Sequence, residues 1–322
     1  MELFRGVNVD WLRLKWYFLA FSMIFSVAGV VKMGFNWSQI GSPVPLGVDF
    51  RGGTEVQVQF VQSPDLDAIR RAVAAAGIQD ANVQTYDVPS SNEVLIGLPE
   101  QHDESSLDAG RQLIEKALHA QYANPIVPAS TKVDVVGPTV GRQLRNKAVM
   151  ATLYSMLAML VYLWFRFQLI YGVAAVVACI HDTLITVGAF ALTGQEISLT
   201  VIAAILTLVG YSMNDTIVVF DRIRENLRLS RRESLPDVVN RSINQTLSRT
   251  ILTSGLTFLT VLSLYIFGGQ VLRGFSFALV VGIIIGTYSS IAVAAPMLVA
   301  WQEWRAKQGN ATALPAAKRP RV

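Results

Sequence analysis

Six apolar runs, each long enough to cross a lipid bilayer, constrain this chain more than any other feature of its sequence. A hydrocarbon core of about 30 Å needs roughly 20 apolar residues per helix. Runs of that kind lie at 16–33, 148–165, 169–192, 197–220, 250–267 and 275–300. Aromatic residues mark several of their ends: Trp16 and Tyr17, then Tyr162, Trp164 and Phe165, and finally Trp301 and Trp304. Such side chains suit the headgroup level. Hydrophobic residues make up 52% of the chain and charged residues only 16%, a balance foreign to ordinary soluble domains. The expectation is a polytopic α-helical membrane protein with six transmembrane helices. The basic residues before the first run (Arg5, Arg13, Lys15) are those of a signal peptide, but the run is long and no A-x-A site follows. It is therefore read as a retained anchor.

Lys and Arg in the short connections predict the orientation. They cluster in 1–15, at Arg166, in 221–249 (Arg222, Arg224, Arg228, Arg231, Arg232, Arg241) and in the tail 301–322. The opposite connections carry no basic residue in 194–196 and only Arg273 in 268–274. Both termini and the 221–249 loop are then cytoplasmic, and residues 34–147 lie outside.

That outer segment reads as a domain. Val56, Val58 and Phe60 alternate with polar residues as in a strand. Asp65 after Pro64 caps a helix over 65–76 that Gly77 ends. Strands over 82–88 and 93–98 flank a turn at 89–92. A helix over 103–122 follows, with Leu107, Leu113, Ile114 and Leu118 on one face, and then a strand over 132–136. The order β-α-β-β-α-β is that of a ferredoxin-like α+β domain. His102 and His119 read as exposed helix residues, and no catalytic constellation is visible.

Several function classes are excluded by residue usage. The lone cysteine, Cys179, rules out a disulfide framework or a Cys-based metal site. Three histidines without HExxH spacing give no zinc hydrolase, and no G-x-x-x-x-G-K-[ST] provides a P-loop. The stretch 222–232 is rich in Arg but alternates with Glu, so it reads as a solvated, orientation-setting segment and not as a nucleic-acid site.

Ionisable residues inside membrane helices are rare and costly, so each is a functional candidate. Asp215 lies five residues before Phe220, about 7 Å inside the cytoplasmic end at 1.5 Å per residue. It is a candidate proton carrier. The bland alternative is a structural Asp held by Ser212, Asn214 and Thr216. Arg249 opens the fifth run; it either snorkels to the headgroups or pairs with Asp215 as a charge switch. His181 and Asp182 lie near the midplane of the third run. They either extend a proton path or form a self-satisfied pair with Thr183 and Thr186. Gly282 and Gly286 form a G-x-x-x-G that admits close helix packing, and Gly188, Gly210 and Gly255 have the same potential.

Three stretches carry a resemblance. One is 210–226, Gly-Tyr-Ser-Met-Asn-Asp-Thr-Ile-Val-Val-Phe-Asp-Arg-Ile-Arg-Glu-Asn. The second is 244–255, Asn-Gln-Thr-Leu-Ser-Arg-Thr-Ile-Leu-Thr-Ser-Gly. The third is 47–54, Gly-Val-Asp-Phe-Arg-Gly-Gly-Thr. With Val136-Gly137-Pro138 and Phe267-Gly268-Gly269, the chain resembles the SecF family of the bacterial SecD–SecF export complex, within the resistance–nodulation–division superfamily. The resemblance implies a multi-pass protein of the cell inner membrane and a pseudo-twofold pairing with SecD. It implies work beside the SecYEG channel, often with YajC, on an unfolded polypeptide in transit among membrane lipids. The energy source it implies is the proton-motive force, used after the SecA step, with no cofactor, no metal, no nucleic acid and no enzymatic reaction. The family's proton-transport Asp and Arg match Asp215 and Arg249. Two other readings are a small-molecule exporter of the same superfamily and a receptor with a ligand-binding outer domain. The first needs twice as many helices and outer domains in one chain. The second does not explain Asp215.

Overall fold

The computed structural model describes residues 8–77, 81–86, 92–98, 107–122, 126–127, 131–136, 138–167, 169–230 and 233–308. His102, the start of the helix expected from 103, the turn at 89–91, Gly137, Arg231, Arg232 and the tail beyond 308 lie outside them.

Among the described residues, six helices are long and apolar enough to cross a membrane, as the six runs require. They are α1 (Lys15–Ile40), α5 (Pro138–Arg166), α6 (Leu169–Thr193), α7 (Leu199–Leu229), α8 (Leu235–Phe267) and a continuous rod made of α9 (Gly269–Ser289), a π-helical turn (Ser290–Ala294) and α10 (Ala295–Lys307). The π turn has a local cause. Pro296 has no N–H to give to the carbonyl of Ala292, so the ladder widens just before it.

Most helices overrun their apolar runs. α1 continues to Ile40 and stops where Gly41 takes φ +69°. α5 starts at Pro138, a residue suited to a first helical turn, so 138–147 are helix and not part of the outer domain's loops. Most of 221–249, read as a loop, is helical as well: α7 persists to Leu229 and α8 begins at Leu235 behind the Ser234 cap. Hydropathy misses these extensions because their exposed faces are charged. Their inner faces still bury Ile223, Val238, Val239 and Ile243.

Between α1 and α5 lies the sheet domain. After the short helix α2 (Val48–Arg51) come β1 (Gly53–Gln59), α3 (Leu66–Ala75), β2 (Asn82–Tyr86), β3 (Glu93–Leu98), α4 (Leu107–Gln121) and β4 (Lys132–Val136). The sheet order is β2-β3-β1-β4 and every pairing is antiparallel. Val56, Val58, Phe60, Val94 and Ile96 form its core with Ile69 and Val73 of α3 and Ile114 and Leu118 of α4. Asp65 caps α3 through the N–H groups of Asp67 and Ala68, and Gly77 follows at φ +95°. His119 is exposed on α4.

Within the bundle, α6, α7 and α9 are the buried helices, while α1 and α5 present most of their side chains outward. α1 nevertheless turns one face inward: Ser22, Gly29 and Asn36, seven residues apart, are its buried positions. Gly29 meets Gly188 of α6 so closely that a Cβ on either would lie 3.0 Å from the other's Cα. Gly282 and Gly286 of α9 face α7, where added Cβ atoms would lie 2.3 Å from Leu208 Cδ2 and 3.1 Å from Ser212 Cβ. Gly210 and Gly255 differ from the expectation of close packing, since among the described residues no atom beyond the local helix lies within 4 Å of either Cβ position.

Candidate functional site

The polar atoms of the bundle converge from five helices. Asp215, on the buried face of α7, is 2% exposed. Its Oδ2 accepts a hydrogen bond from Ser254 Oγ of α8 at 2.7 Å. The neighbours in sequence that could support it point elsewhere. Asn214 is exposed, Ser212 turns to α6, and Thr216 Oγ1 donates to the Ser212 carbonyl of its own helix at 3.2 Å. Asp215 therefore joins α7 to α8 through one hydroxyl.

Arg249 and Asp215 do not form the ion pair that the sequence offers as one of two possibilities. Arg249 is exposed on α8 and makes no ion pair with a described residue, although its charge acts on Asp215 through space. It lines a cavity of about 460 Å³ at the end of the bundle, with Tyr162 and Arg166 of α5 and Asp221, Arg222 and Glu225 of α7. The other cations there are engaged. Arg222 holds Glu225 at 2.6 Å and donates to Gln245 at 2.7 Å, and Arg166 lies 3.8 Å from Asp221. Arg249 lies on an exposed face of α8, whereas Asp215 is enclosed between α7 and α8 and takes Ser254, five residues beyond Arg249, as its partner.

His181 and Asp182 form a second constellation. Asp182 is 1% exposed and accepts three hydrogen bonds: from Ser212 Oγ of α7 at 2.5 Å, from Ser289 Oγ of α9 at 2.7 Å, and from the adjacent His181 Nδ1 at 2.9 Å. With Asp182 as a carboxylate, Nδ1 of the ring carries a proton, and Nε2 faces the hydroxyl of Ser22 on α1. Thr183 and Thr186, the partners that sequence proximity suggests, bond to backbone carbonyls of α6 instead, those of Cys179 and Asp182. The pair is not self-contained. It ties α6 to α1, α7 and α9.

Ser22, Ser254 and Ser289 are not visible as site residues in the sequence. A lone serine in an apolar helix has no spacing signature, and only the fold shows which carboxylate it reaches. Chemically, the arrangement offers two buried carboxylates on neighbouring helices. Asp182 is served by three donors and Asp215 by one, each able to hold or release a proton. Among the described residues, no group of three or more His, Cys, Asp or Glu side chains has the placement to hold a metal ion.

Six membrane-length helices around buried carboxylates, with a sheet domain inserted after the first, define a multi-pass membrane protein. Residues 116–304 match the family described as protein export membrane protein SecD/SecF, C-terminal, and residues 37–64 match the SecD/SecF GG motif. The protein translocase subunit SecF of Koribacter versatilis is 54% identical, with 98% of this chain and 96% of that protein covered. Its counterpart in Desulfurispirillum indicum is 45% identical over 92% of this chain and 93% of its own length. The crystal structure of SecDF from Thermus thermophilus, a translocon-associated membrane protein, superposes with a TM-score of 0.79 at 36% identity. The match covers 94% of this chain but only 40% of that one. SecDF in a super-membrane-facing form gives a TM-score of 0.68 at 35% identity. The chain belongs to the SecF family.

Proposed function

We propose that this chain is an auxiliary subunit of Sec-dependent protein export, paired with SecD and driven by the proton-motive force, with Asp215 as its proton-binding group. The observation that carries this reading is the burial of Asp215 between α7 and α8 with one hydroxyl partner. A carboxylate in that setting changes its interactions with Ser254 and Arg249 when it gains or loses a proton. The energy scale is adequate, since one charge crossing 100 mV releases about 2.3 kcal/mol. His181 and Asp182 act beside it as a secondary proton-handling pair that links α1 to the core helices.

The partner is favoured by size and surface. The SecDF chains that this one resembles are far longer than the part it covers. The face of α7 around Gly210 and Asn214 is open, with no neighbour at Gly210 among the described residues beyond its own stretch of helix. The complex works at the SecYEG channel, with YajC, on an unfolded chain that SecA has already advanced. Its setting is the cell inner membrane, with both termini and the α7–α8 connection cytoplasmic, as the Arg-rich ends favour. The sheet domain lies outside and is of ferredoxin-like type, which its antiparallel order β2-β3-β1-β4 supports. It is the moving arm that meets the emerging polypeptide. The subunit uses no cofactor, binds no nucleic acid and catalyses no covalent reaction.

The test is Asp215→Asn in proteoliposomes holding the full complex. The variant is expected to assemble with SecD and to lose the stimulation of precursor translocation by a proton gradient. Stimulation equal to that of the unsubstituted complex overturns the reading.

A further inference from the structure

The segment that leads into the sheet domain makes contacts that chain continuity does not demand. Asp49 of α2 is 150 residues from α7, yet its Oδ2 accepts a hydrogen bond from the Leu199 N–H at 2.8 Å. Leu199 is the first residue of α7, so the carboxylate satisfies a free helix N–H from outside the helix, at the positive end of its dipole. Ser198 takes a second free N–H, that of Val201, at 3.4 Å. The backbones join beside it. Gly47 N–H donates to the Ile197 carbonyl at 3.0 Å, and Ile197 N–H donates to the Pro45 carbonyl at 2.9 Å. Phe50, 5% exposed, completes the joint by packing into the apolar cluster that holds Ile197 and Val201.

The residues just after Asp49 are equally constrained. α2 is pressed against the start of α5, where a Cβ on Gly141 would lie 3.1 Å from both the Gly52 nitrogen and the Phe50 oxygen. Gly52 and Gly53 then take φ +79° and +131°, a region that side chains rarely tolerate, and the chain enters β1 at once. β1 is an inner strand of the sheet, paired on both edges. On its N-terminal side the sheet domain therefore hangs from a clamped helical turn through two glycines. The clamp is fastened to α7, and α7 runs without a break from Leu199 past Asp215. The sixteen residue steps from one to the other span about 24 Å of continuous helix.

We infer that Asp49 is the positioning residue through which a change at Asp215 reaches the sheet domain. It is a latch that makes the end of α7 and the root of β1 move together. The inference rests on the reading of Asp215 as the proton-binding group. A helix end held only by a loop would shift without moving its neighbour. A carboxylate bonded to the helix N-terminus, with two backbone hydrogen bonds beside it, turns the shift into displacement of α2.

The test compares Asp49→Ala and Asp49→Asn in the full complex, reading proton flux and precursor translocation in the same proteoliposomes. Asp49→Ala is expected to keep its proton flux. It should lose gradient-driven stimulation by about fivefold or more, the lower range of ordinary coupling between sites. Asp49→Asn, whose amide oxygen still accepts, is expected to lose less. Unchanged stimulation in Asp49→Ala overturns the latch, and so does a parallel loss of proton flux. If Asp49→Ala does not assemble, hydrogen exchange in the unsubstituted complex decides. Protection at 197–201 and at 45–53 must change together when the gradient is applied, and independent change overturns the latch. Asp215→Asn run alongside separates the two ideas. Full stimulation in that variant removes the proton reading itself, whereas its loss together with normal Asp49→Ala behaviour removes the latch alone.

Discussion

Ser254 on α8 and Asp215 on α7 meet at 2.7 Å inside the bundle, whereas Arg249, five residues earlier on α8, stands exposed and makes no ion pair with Asp215. A neutral hydroxyl can serve either protonation state of the carboxylate, because it donates to the anion and accepts from the acid. Arg249 can serve only the anion. Its place at a cavity edge, near enough to act by its field, leaves Ser254 as the direct link between Asp215 and α8.

Ser254→Ala leaves a buried carboxylate short of its donor, at a cost of about 1–3 kcal/mol. The expected outcome is a lower Tm of the purified complex and weakened gradient-driven export, less severe than the effect of Asp215→Asn. Export equal to that of the unsubstituted complex would show that the contact is incidental.

Asp182→Ala removes one acceptor from three donors, those of Ser212, Ser289 and His181, on three helices. Ser289 keeps a bond to the Gly286 carbonyl at 3.2 Å, but Ser212 and His181 lose this acceptor, and the combined loss costs about 3 kcal/mol or more. Thermal unfolding followed by circular dichroism is expected to show a larger drop for this variant than for Ser254→Ala. A smaller drop contradicts the role of Asp182 as the node joining α6, α7 and α9.

Gly188→Leu forces α1 away from α6, because a Cβ at that position already lies 3.0 Å from the Gly29 Cα. Overpacking of this kind costs about 1–3 kcal/mol, and it also separates Ser22 from His181. Gly210→Ala meets no described atom beyond its own stretch of helix. It is expected to leave Tm of the isolated subunit unchanged or slightly raised, and to reduce co-purification with SecD if that face is the subunit interface.

Much of this architecture is legible from residue types. Apolar length locates six helices, and the strand alternation at Val56, Val58 and Phe60 locates β1, since burial in lipid or in a core leaves a periodic trace. What stays hidden is of two kinds. The charged ends of α7 and α8 continue as helix because their inner faces bury Ile223 and Val239, and a hydropathy window averages that face with the Arg-rich one. The partners of Asp215 and Asp182 are single serines, and nothing local distinguishes Ser254 from Ser263. The pairing of Arg249 with Asp215 fails for the same reason. Charge and depth favour it, but neither tells which face of α8 Arg249 takes, and it lies on an exposed one.

The most direct test is proton movement itself. Proteoliposomes carrying the full complex and a pH-sensitive dye would be driven by an imposed gradient, with and without Asp215→Asn. Proton flux that collapses in the variant, while assembly with SecD persists, is the result predicted. Flux that persists at the level of the unsubstituted complex would contradict Asp215 as the proton-binding group.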